Sequence, residues 1–124
     1  EVAVRQLVGE GEAHQLANPD FIRLVMNENI HRGEFLAQSK TIQQVNVPAI
    51  DALGRIYARG VKSGTFRNAI DVVDLHMSIS ALCFFTVANR HTFSLVFKRD
   101  LESPAAIVAR RDSIVEMIVR FVRK

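Results

Sequence analysis

Apolar residues recur every three to four positions through most of the chain, which is the spacing of amphipathic helices. The clearest run starts at Val47, carries Pro48 in its first turn and ends before Gly64. Proline is tolerated in the first turn of a helix, and a glycine just past the last apolar position, here with Lys62 in the closing turn, is typical of a helix C-terminus. The apolar positions of this predicted helix are Val47, Ile50, Leu53, Ile56, Tyr57 and Val61.

The next predicted helix is apolar on almost every side. Asp71 is placed to cap it, and the helix covers Val72 to Val87. A helix of this kind has to be covered on two faces. Because a chain of 124 residues leaves little material to cover the second face, we expect a partner subunit to cover it.

The first third of the chain is also predicted to be helical. Residues 2–17 have apolar positions at broadly helical spacing. An asparagine followed by a proline then indicates a new helix, which starts at Pro19, runs to about Ile30 and is ended by Gly33. Residues 34–44 hold too few apolar positions for a long helix and predict one or two short helical turns.

The last third ends in a long predicted helix. Phe93, Leu95 and Phe97 alternate as in a strand, but a lone strand in a helical chain has no partner, so we expect a helical extension or a loop there. Ser103 before Pro104 repeats the cap-and-proline signal and starts a helix that runs to the C-terminus. The chain therefore predicts one all-α domain of about six helices.

Composition excludes some classes of protein. The chain is 48% hydrophobic and 23% charged, and it has no run of 18 apolar residues, so disorder and a membrane span are not expected. The net charge is +3, and the positively charged residues are scattered along the chain except in the last fifteen residues, where they are concentrated. We interpret that concentration as a solvated helix face rather than a nucleic-acid site. The one cysteine, Cys83, lies in the most apolar helix, which indicates a buried reduced thiol in a cytoplasmic protein. Because the chain begins inside a helical pattern, we expect it to be a piece of a longer protein.

No catalytic or metal-binding pattern emerges from the sequence. The four histidines show neither HxxxH nor HExxH spacing, so no metal site is expected. His76 and Cys83 are seven residues apart, about 10 Å along one helix, which is too far for a thiolate pair. Glu28, near Asn29 and His31, either faces a cavity or forms a solvated helix end. We therefore expect neither an enzyme nor a cofactor. The histidines are His14, His31, His76 and His91.

Several short segments resemble the C-terminal domain of TetR-family transcriptional regulators. The passage between the two central helices carries Leu53, Gly60, Gly64, Phe66-Arg67 and Asp71, as the family's passage between its seventh and eighth helices does. Upstream, Phe21-Ile22-Arg23-Leu24 with Glu28-Asn29 is similar to the segment that opens the family's pocket region. Downstream, Phe97-Lys98-Arg99-Asp100-Leu101 and Ser103-Pro104 resemble the linker to its last helix.

The resemblance implies that residues 1–124 are an effector-binding and dimerisation domain. Helices at about 71–90 and 104–122 would pair with their twofold copies as a four-helix bundle, while the earlier helices enclose a cavity for a small apolar or aromatic effector. The expected interface residues are Leu75, Ile79, Leu82, Thr86, Ile114, Ile118 and Phe121, of which some could instead face the core of their own subunit. The expected pocket residues are Phe21, Val25, Glu28, Tyr57, Met77, Cys83 and Phe84.

The resemblance also implies a function. The full-length protein would be a cytoplasmic bacterial regulator, in most such proteins a repressor, whose DNA binding responds to the effector. The helix-turn-helix that reads DNA in this family is absent from the chain, so contact with DNA is expected only through a missing N-terminal domain. Two alternatives remain open, a purely structural all-α dimerisation module without a ligand and a small helical enzyme.

Overall fold

The computed structural model describes residues 2–17, 19–38 and 47–124 of the chain. In these ranges it contains six α-helices and one short 3₁₀ turn, which confirms the all-α prediction. The predicted turn within residues 34–44 is seen as the 3₁₀ segment, while Asn18 and residues 39–46 lie outside the described ranges. The helices are α1 (Val2–Ala17), α2 (Pro19–Ile30), the 3₁₀ turn (Leu36–Gln38), α3 (Val47–Lys62), α4 (Val72–Ala88), α5 (Arg90–Phe97) and α6 (Pro104–Val122).

Local chemistry sets the helix ends where the sequence predicts them. The carboxylate of Asp71 accepts hydrogen bonds from the backbone N–H of Val73 at 2.8 Å and of Asp74 at 3.3 Å, so it caps α4. The hydroxyl of Ser103 caps α6 in the same way. Gly64 follows α3 with a φ of 78°, a left-handed conformation that costs glycine little because it has no Cβ.

The segment after α4 is helical, as predicted, but it forms a separate helix. The chain bends by 64° between α4 and α5, and the backbone N–H of Asn89 still bonds to the carbonyl of Phe85 at 3.0 Å. Lys98 ends α5 in a left-handed conformation with a φ of 52°. No single helix of the described ranges is long and apolar enough to cross a membrane, and only α4 and α5 taken together across their bend reach that length and composition.

The core of the domain is organised around α4, which contacts each of the other five α-helices. Val8 of α1 and Ile114 of α6 are fully buried against it. Burying each such side chain stabilises the fold by roughly 1.5–3 kcal/mol. An ion pair of 2.8 Å between Arg5 and Asp112 also joins α1 to α6, but both side chains are more than half exposed, so it contributes at most about 1 kcal/mol. Apolar packing therefore holds α1 and α6 in place.

The loop between α3 and α4 is joined to the end of α6. Phe66 forms an isolated antiparallel bridge with Arg123. The backbone N–H of Arg67 donates to the carbonyl of Val122 at 2.9 Å, and its Nε donates to the carbonyl of Phe121 at 2.7 Å. The guanidinium group of Arg67 also lies 4.4 Å from the centre of the Phe121 ring, a cation–π contact.

The same loop depends on two residues of α3. The hydroxyl of Tyr57 donates to the carbonyl of Arg67 at 2.7 Å and accepts from the N–H of Ile70 at 3.0 Å, while its ring stacks on Phe66. Gly60 lies directly beneath the Phe66 ring, where a Cβ would overlap the ring carbons. The Gly60, Phe66 and Arg67 pattern therefore has a structural explanation, since it fixes the loop against both α3 and α6.

Candidate functional site

The described residues among those expected to line a pocket have different surroundings. Cys83 is only 1% exposed and belongs to the core, whereas Met77 is 61% exposed on the outer surface of α4. Tyr57 uses its hydroxyl to hold the α3–α4 loop. The assignment of these residues to a pocket stays a prediction, and the structure gives three of them different surroundings.

The other predicted pocket residues lie elsewhere on the domain. Val25, Glu28 and Phe84 are half-buried, and the side chain of Phe21 lies outside the described part of the structure. Neither of the two cavities described below is lined by any of the seven residues, as far as the described ranges show.

Four of the predicted interface residues lie inside their own subunit. Leu75 and Ile79 of α4 and Ile114 and Ile118 of α6 are buried in the core, and Ile114 has no exposed surface at all. Side chains covered to this degree have little area left to bury against a second chain. Their packing joins α4 to α6 within one subunit, the alternative that the sequence left open.

The other three predicted interface residues keep some exposure. Leu82 packs partly against the core, and Thr86 is half-buried. Phe121 is exposed, with the Arg67 guanidinium group over its ring. Of the seven, Phe121 has the largest area available to a partner.

A face of exposed residues runs along α4 and α6, and we call it the α4–α6 face. Its apolar members are large side chains that are each more than 40% exposed. Small residues lie among them: Ala81 is four positions from both Met77 and Phe85, Ser78 is three positions before Ala81, and Ser113 is four positions before Met117, spacings that place them on one side of their helix. The large members of the α4–α6 face are Met77, Phe85, Met117 and Phe121.

A hydrogen bond between α4 and α6 shows the register of the two helices. The Nε of Arg110 donates to the hydroxyl of Thr86 at 3.2 Å, so the end of α4 lies beside the first turns of α6. The two helices run antiparallel, since the start of α4 lies near the other end of α6 through the loop contacts. Met77 and Met117 therefore lie at about the same level of the helix pair.

A cavity of about 320 Å³ opens between the end of α4, α5 and the first turns of α6. Its walls are mainly apolar, with two arginines, a threonine and an asparagine among them. Phe85 belongs both to this cavity and to the α4–α6 face, so the two features adjoin. The lining residues are Phe85, Thr86, Asn89, Arg90, Phe93, Leu101, Ala106, Ile107 and Arg110.

Positively charged groups outnumber negatively charged ones around this cavity. The partner of Arg110 is the neutral hydroxyl of Thr86. The Nε of Arg90 lies 3.5 Å from a carboxylate oxygen of Glu102, and the same oxygen lies 2.8 Å from Nδ1 of His91. Among buried side-chain nitrogen and oxygen atoms of the described residues, only this Arg90 Nε has no hydrogen-bond partner. Glu102 is thus divided between Arg90 and His91 and does not pair with Arg110, so the two guanidinium groups give the cavity a positive character.

Other sites are weaker candidates. A shallow hollow of about 480 Å³ lies on α3, and all of its lining residues, which include Arg55 and Arg59, belong to that one helix. Within the described ranges, no three His, Cys, Asp or Glu side chains come together in a way that could hold a metal ion. The cavity at the end of α4 is therefore the best-formed concave site that we describe.

Comparison with known proteins adds independent evidence. Residues 1–118 match the family model described as the tetracyclin repressor-like C-terminal domain. The chain is also 28% identical, over all 124 of its residues, to the HTH-type transcriptional repressor NicS of Pseudomonas putida. The match covers 58% of that repressor, so the chain spans little more than half of this relative's length.

Proposed function

The chain belongs to the tetracyclin repressor-like (TetR) C-terminal domain family, and from this premise we propose that it is the effector-sensing and homodimerisation domain of a transcriptional regulator. The family consists of regulator domains rather than enzymes. The similarity to a named repressor favours repression as the direction of control. DNA binding would belong to a part of the full-length protein outside this chain, and the protein would act in the bacterial cytoplasm, where its operator is.

The α4–α6 face is the observation that carries the dimerisation part of the proposal. Contiguous exposed apolar side chains mark interaction surfaces in folded proteins. A twofold axis brings the same patch of both subunits together, so two exposed antiparallel helices from each copy form a four-helix bundle. Met77, Phe85, Met117 and Phe121 would then be buried between the subunits, and the small residues between them would let the helices approach closely.

This interface differs from the set of interface residues expected from the family resemblance. Leu75, Ile79, Ile114 and Ile118 would support the interface from inside the subunit, while their exposed neighbours make the contact. Phe121 belongs both to the expected interface residues and to the α4–α6 face.

Sensing of the effector would depend on how α4 and α6 pack in the proposed dimer. An effector that binds one packing of the helices more tightly than another shifts the population of the dimer between two arrangements. Such a shift would change the separation of the two DNA-reading domains in the full-length protein. Couplings of this kind are typically about 1–3 kcal/mol, which a modest repacking of α4 against α6 is large enough to supply.

The substitution Met117→Glu tests the dimer. It places a carboxylate in each copy of the proposed interface, and burying an unpaired charge costs several kcal/mol, which weakens association by about a hundredfold or more. Met26→Glu is the matched control, because Met26 is 42% exposed on α2 and Met117 is 41% exposed on α6. In sedimentation velocity at micromolar concentration we expect a dimer for the parent chain and the control, and a monomer for Met117→Glu. A monomeric parent chain would overturn the proposal.

A thermal-shift screen tests sensing separately. Ligands that bind the folded state raise its melting temperature by mass action. The screen covers apolar carboxylic acids, acyl thioesters and neutral aromatic compounds. If the chain is dimeric and no class moves the melting temperature, the structural dimerisation module becomes the better description.

A further inference from the structure

We propose that the cavity between α4, α5 and α6 is the effector site of this domain, and that it takes a small carboxylic acid with a flat, preferably aromatic, body. The inference rests on the proposed sensing function and deepens it by naming the ligand class. It also places the site away from the residues that the sequence suggested, which lie on α2, on α3 and at other positions of α4.

The size and walls of the cavity define the body of the ligand. A volume of about 320 Å³ is near the lower end of the roughly 300–1,000 Å³ usual for ligand pockets, so it suits a molecule of one or two rings. The rings of Phe85 and Phe93 meet edge to face with centroids 5.0 Å apart, which gives a rigid aromatic corner. Leu101 and Ile107 extend the apolar wall.

Arg110 is the strongest reason for a carboxylate. Its guanidinium group presents several donors in a fixed fork that matches the two oxygens of a carboxylate. Only its Nε is used in a bond to Thr86, a neutral group, and no carboxylate of the described residues pairs with Arg110. An anionic ligand in the cavity would therefore meet a cation that the domain itself does not neutralise.

Arg90 adds a second positive group. Its buried Nε has no hydrogen-bond partner, and buried polar groups are normally paired. Glu102 neutralises Arg90 only in part, because it also contacts the ring of His91. The amide of Asn89 lines the same cavity and offers both a donor and an acceptor to polar substituents of the ligand.

The position of the cavity gives the ligand a route to the dimer. Phe85 contributes to the cavity wall and to the α4–α6 face, so a ligand packed against its ring touches the proposed interface directly. The Arg110 to Thr86 hydrogen bond spans α4 and α6 at the same place. A carboxylate that engages Arg110 would therefore act on a side chain that is bonded across these two helices.

Calorimetric titration of the intact dimeric chain with benzoate, and with its neutral analogue benzamide, tests the ligand class. We expect benzoate to bind with a dissociation constant of about 1 mM or tighter, and benzamide to bind at least tenfold more weakly. Equal affinities would overturn the carboxylate assignment, and the absence of benzoate binding up to about 10 mM would overturn the site.

Two variants and a control test the location. Arg110→Met keeps the aliphatic stem but removes the charge, and we expect it to weaken benzoate binding tenfold or more. Arg23→Met makes the same chemical change on α2, where Arg23 is exposed and outside the cavity, and it should leave binding unchanged. Ala106→Leu fills the cavity and leaves both arginines in place, so it should also abolish binding even if Arg110→Met fails to fold.

The outcomes separate this inference from the proposed function. If other ligand classes raise the melting temperature but benzoate does not bind, sensing stands and this site is wrong. If benzoate binds equally well to Arg110→Met and Ala106→Leu while both remain folded, the ligand lies elsewhere on the domain and the assignment of the cavity falls. If the chain is not dimeric, the proposed function fails whatever the titration shows.

Discussion

Adding a single methyl group at Gly60 should destabilise the domain, although helix propensity alone predicts the opposite. Gly60 lies inside α3, where alanine is favoured over glycine by about 1 kcal/mol. A Cβ at this position would overlap Cδ2, Cε2 and Cγ of the Phe66 ring, whereas carbon atoms in contact normally lie about 3.5–4.0 Å apart. Either the ring or the helix has to move.

The structure bounds the cost of that movement. Inserting a methyl group into a packed core typically costs about 1–3 kcal/mol in strain. Full expulsion of the ring sets an upper limit of about 3–5 kcal/mol, since Phe66 is buried and its loss resembles a truncation to alanine. After subtracting the gain of about 1 kcal/mol in helix propensity, Gly60→Ala should lower the free energy of unfolding by up to about 2 kcal/mol if the ring shifts, and by about 2–4 kcal/mol if the ring is expelled.

Gly54→Ala is the matched control in the same helix. The nearest atom to a Cβ at Gly54 is Cγ1 of Val72 at 3.9 Å, an ordinary contact. This substitution should therefore stabilise the domain by up to about 1 kcal/mol. The two alanine variants are chemically identical changes with opposite expected signs.

Urea and thermal unfolding at one fixed protein concentration measure both effects, because the stability of the proposed dimer would depend on concentration. For a domain of this size, 1 kcal/mol corresponds to a shift of about 3–5 °C in melting temperature. The double variant Gly60→Ala with Phe66→Leu should recover part of the loss, since the smaller side chain leaves room for the methyl group. If Gly60→Ala is stabilised as much as Gly54→Ala, the account of this loop is refuted.

Two further substitutions test the loop and the helix cap. Tyr57→Phe removes a donor to the carbonyl of Arg67 and leaves the part-buried N–H of Ile70 without its acceptor, so we expect a loss of about 1–3 kcal/mol in urea unfolding; an unchanged midpoint would contradict a structural role for this hydroxyl. Asp71→Ala removes the cap of α4 and should cost about 1 kcal/mol, while Asp71→Asn, which keeps a capping oxygen, should cost much less in the same assay.

The helix boundaries could be predicted because their causes are local. Asp71, Ser103 and Gly64 act on backbone groups within a few residues of themselves, so a short stretch of sequence contains the whole signal. The lack of a strand partner also correctly excluded a strand at α5, and of the two remaining expectations, a helical extension or a loop, the structure shows a helix. The 64° bend before it was not predicted, because it lies at Asn89 in a stretch without proline or glycine.

The orientation of α4 could not be read from its sequence. This helix is apolar on almost every side, so no stripe distinguishes the buried Leu75 from the exposed Met77 only two positions later. Only the packing of the other helices decides which side is covered. The predicted interface and pocket residues on α4 therefore mixed core positions with exposed ones.

The cavity at the end of α4 was missed for a different reason. Arg90 and Arg110 are far apart in the sequence, and they line one space only because α5 turns away from α4 and α6 returns along it. The hydrogen bonds of the Tyr57 hydroxyl were also not predicted, because its partners lie in the α3–α4 loop, where Ala69 adopts a left-handed φ of 66° that no proline or glycine signals. Such convergence depends on tertiary geometry.

The junction between the α3–α4 loop and the end of α6 has a consequence for how the domain opens. Arg67 and Phe121 are separated by 54 positions. The hydrogen bond between them therefore closes a long loop of the chain that contains α4, α5 and nearly all of α6. Regions tied together in this way exchange their amide hydrogens as one cooperative unit, since neither end can fray while the other stays bonded. The end of α6 and the α3–α4 loop should thus respond as a single block to any force that the rest of the protein transmits.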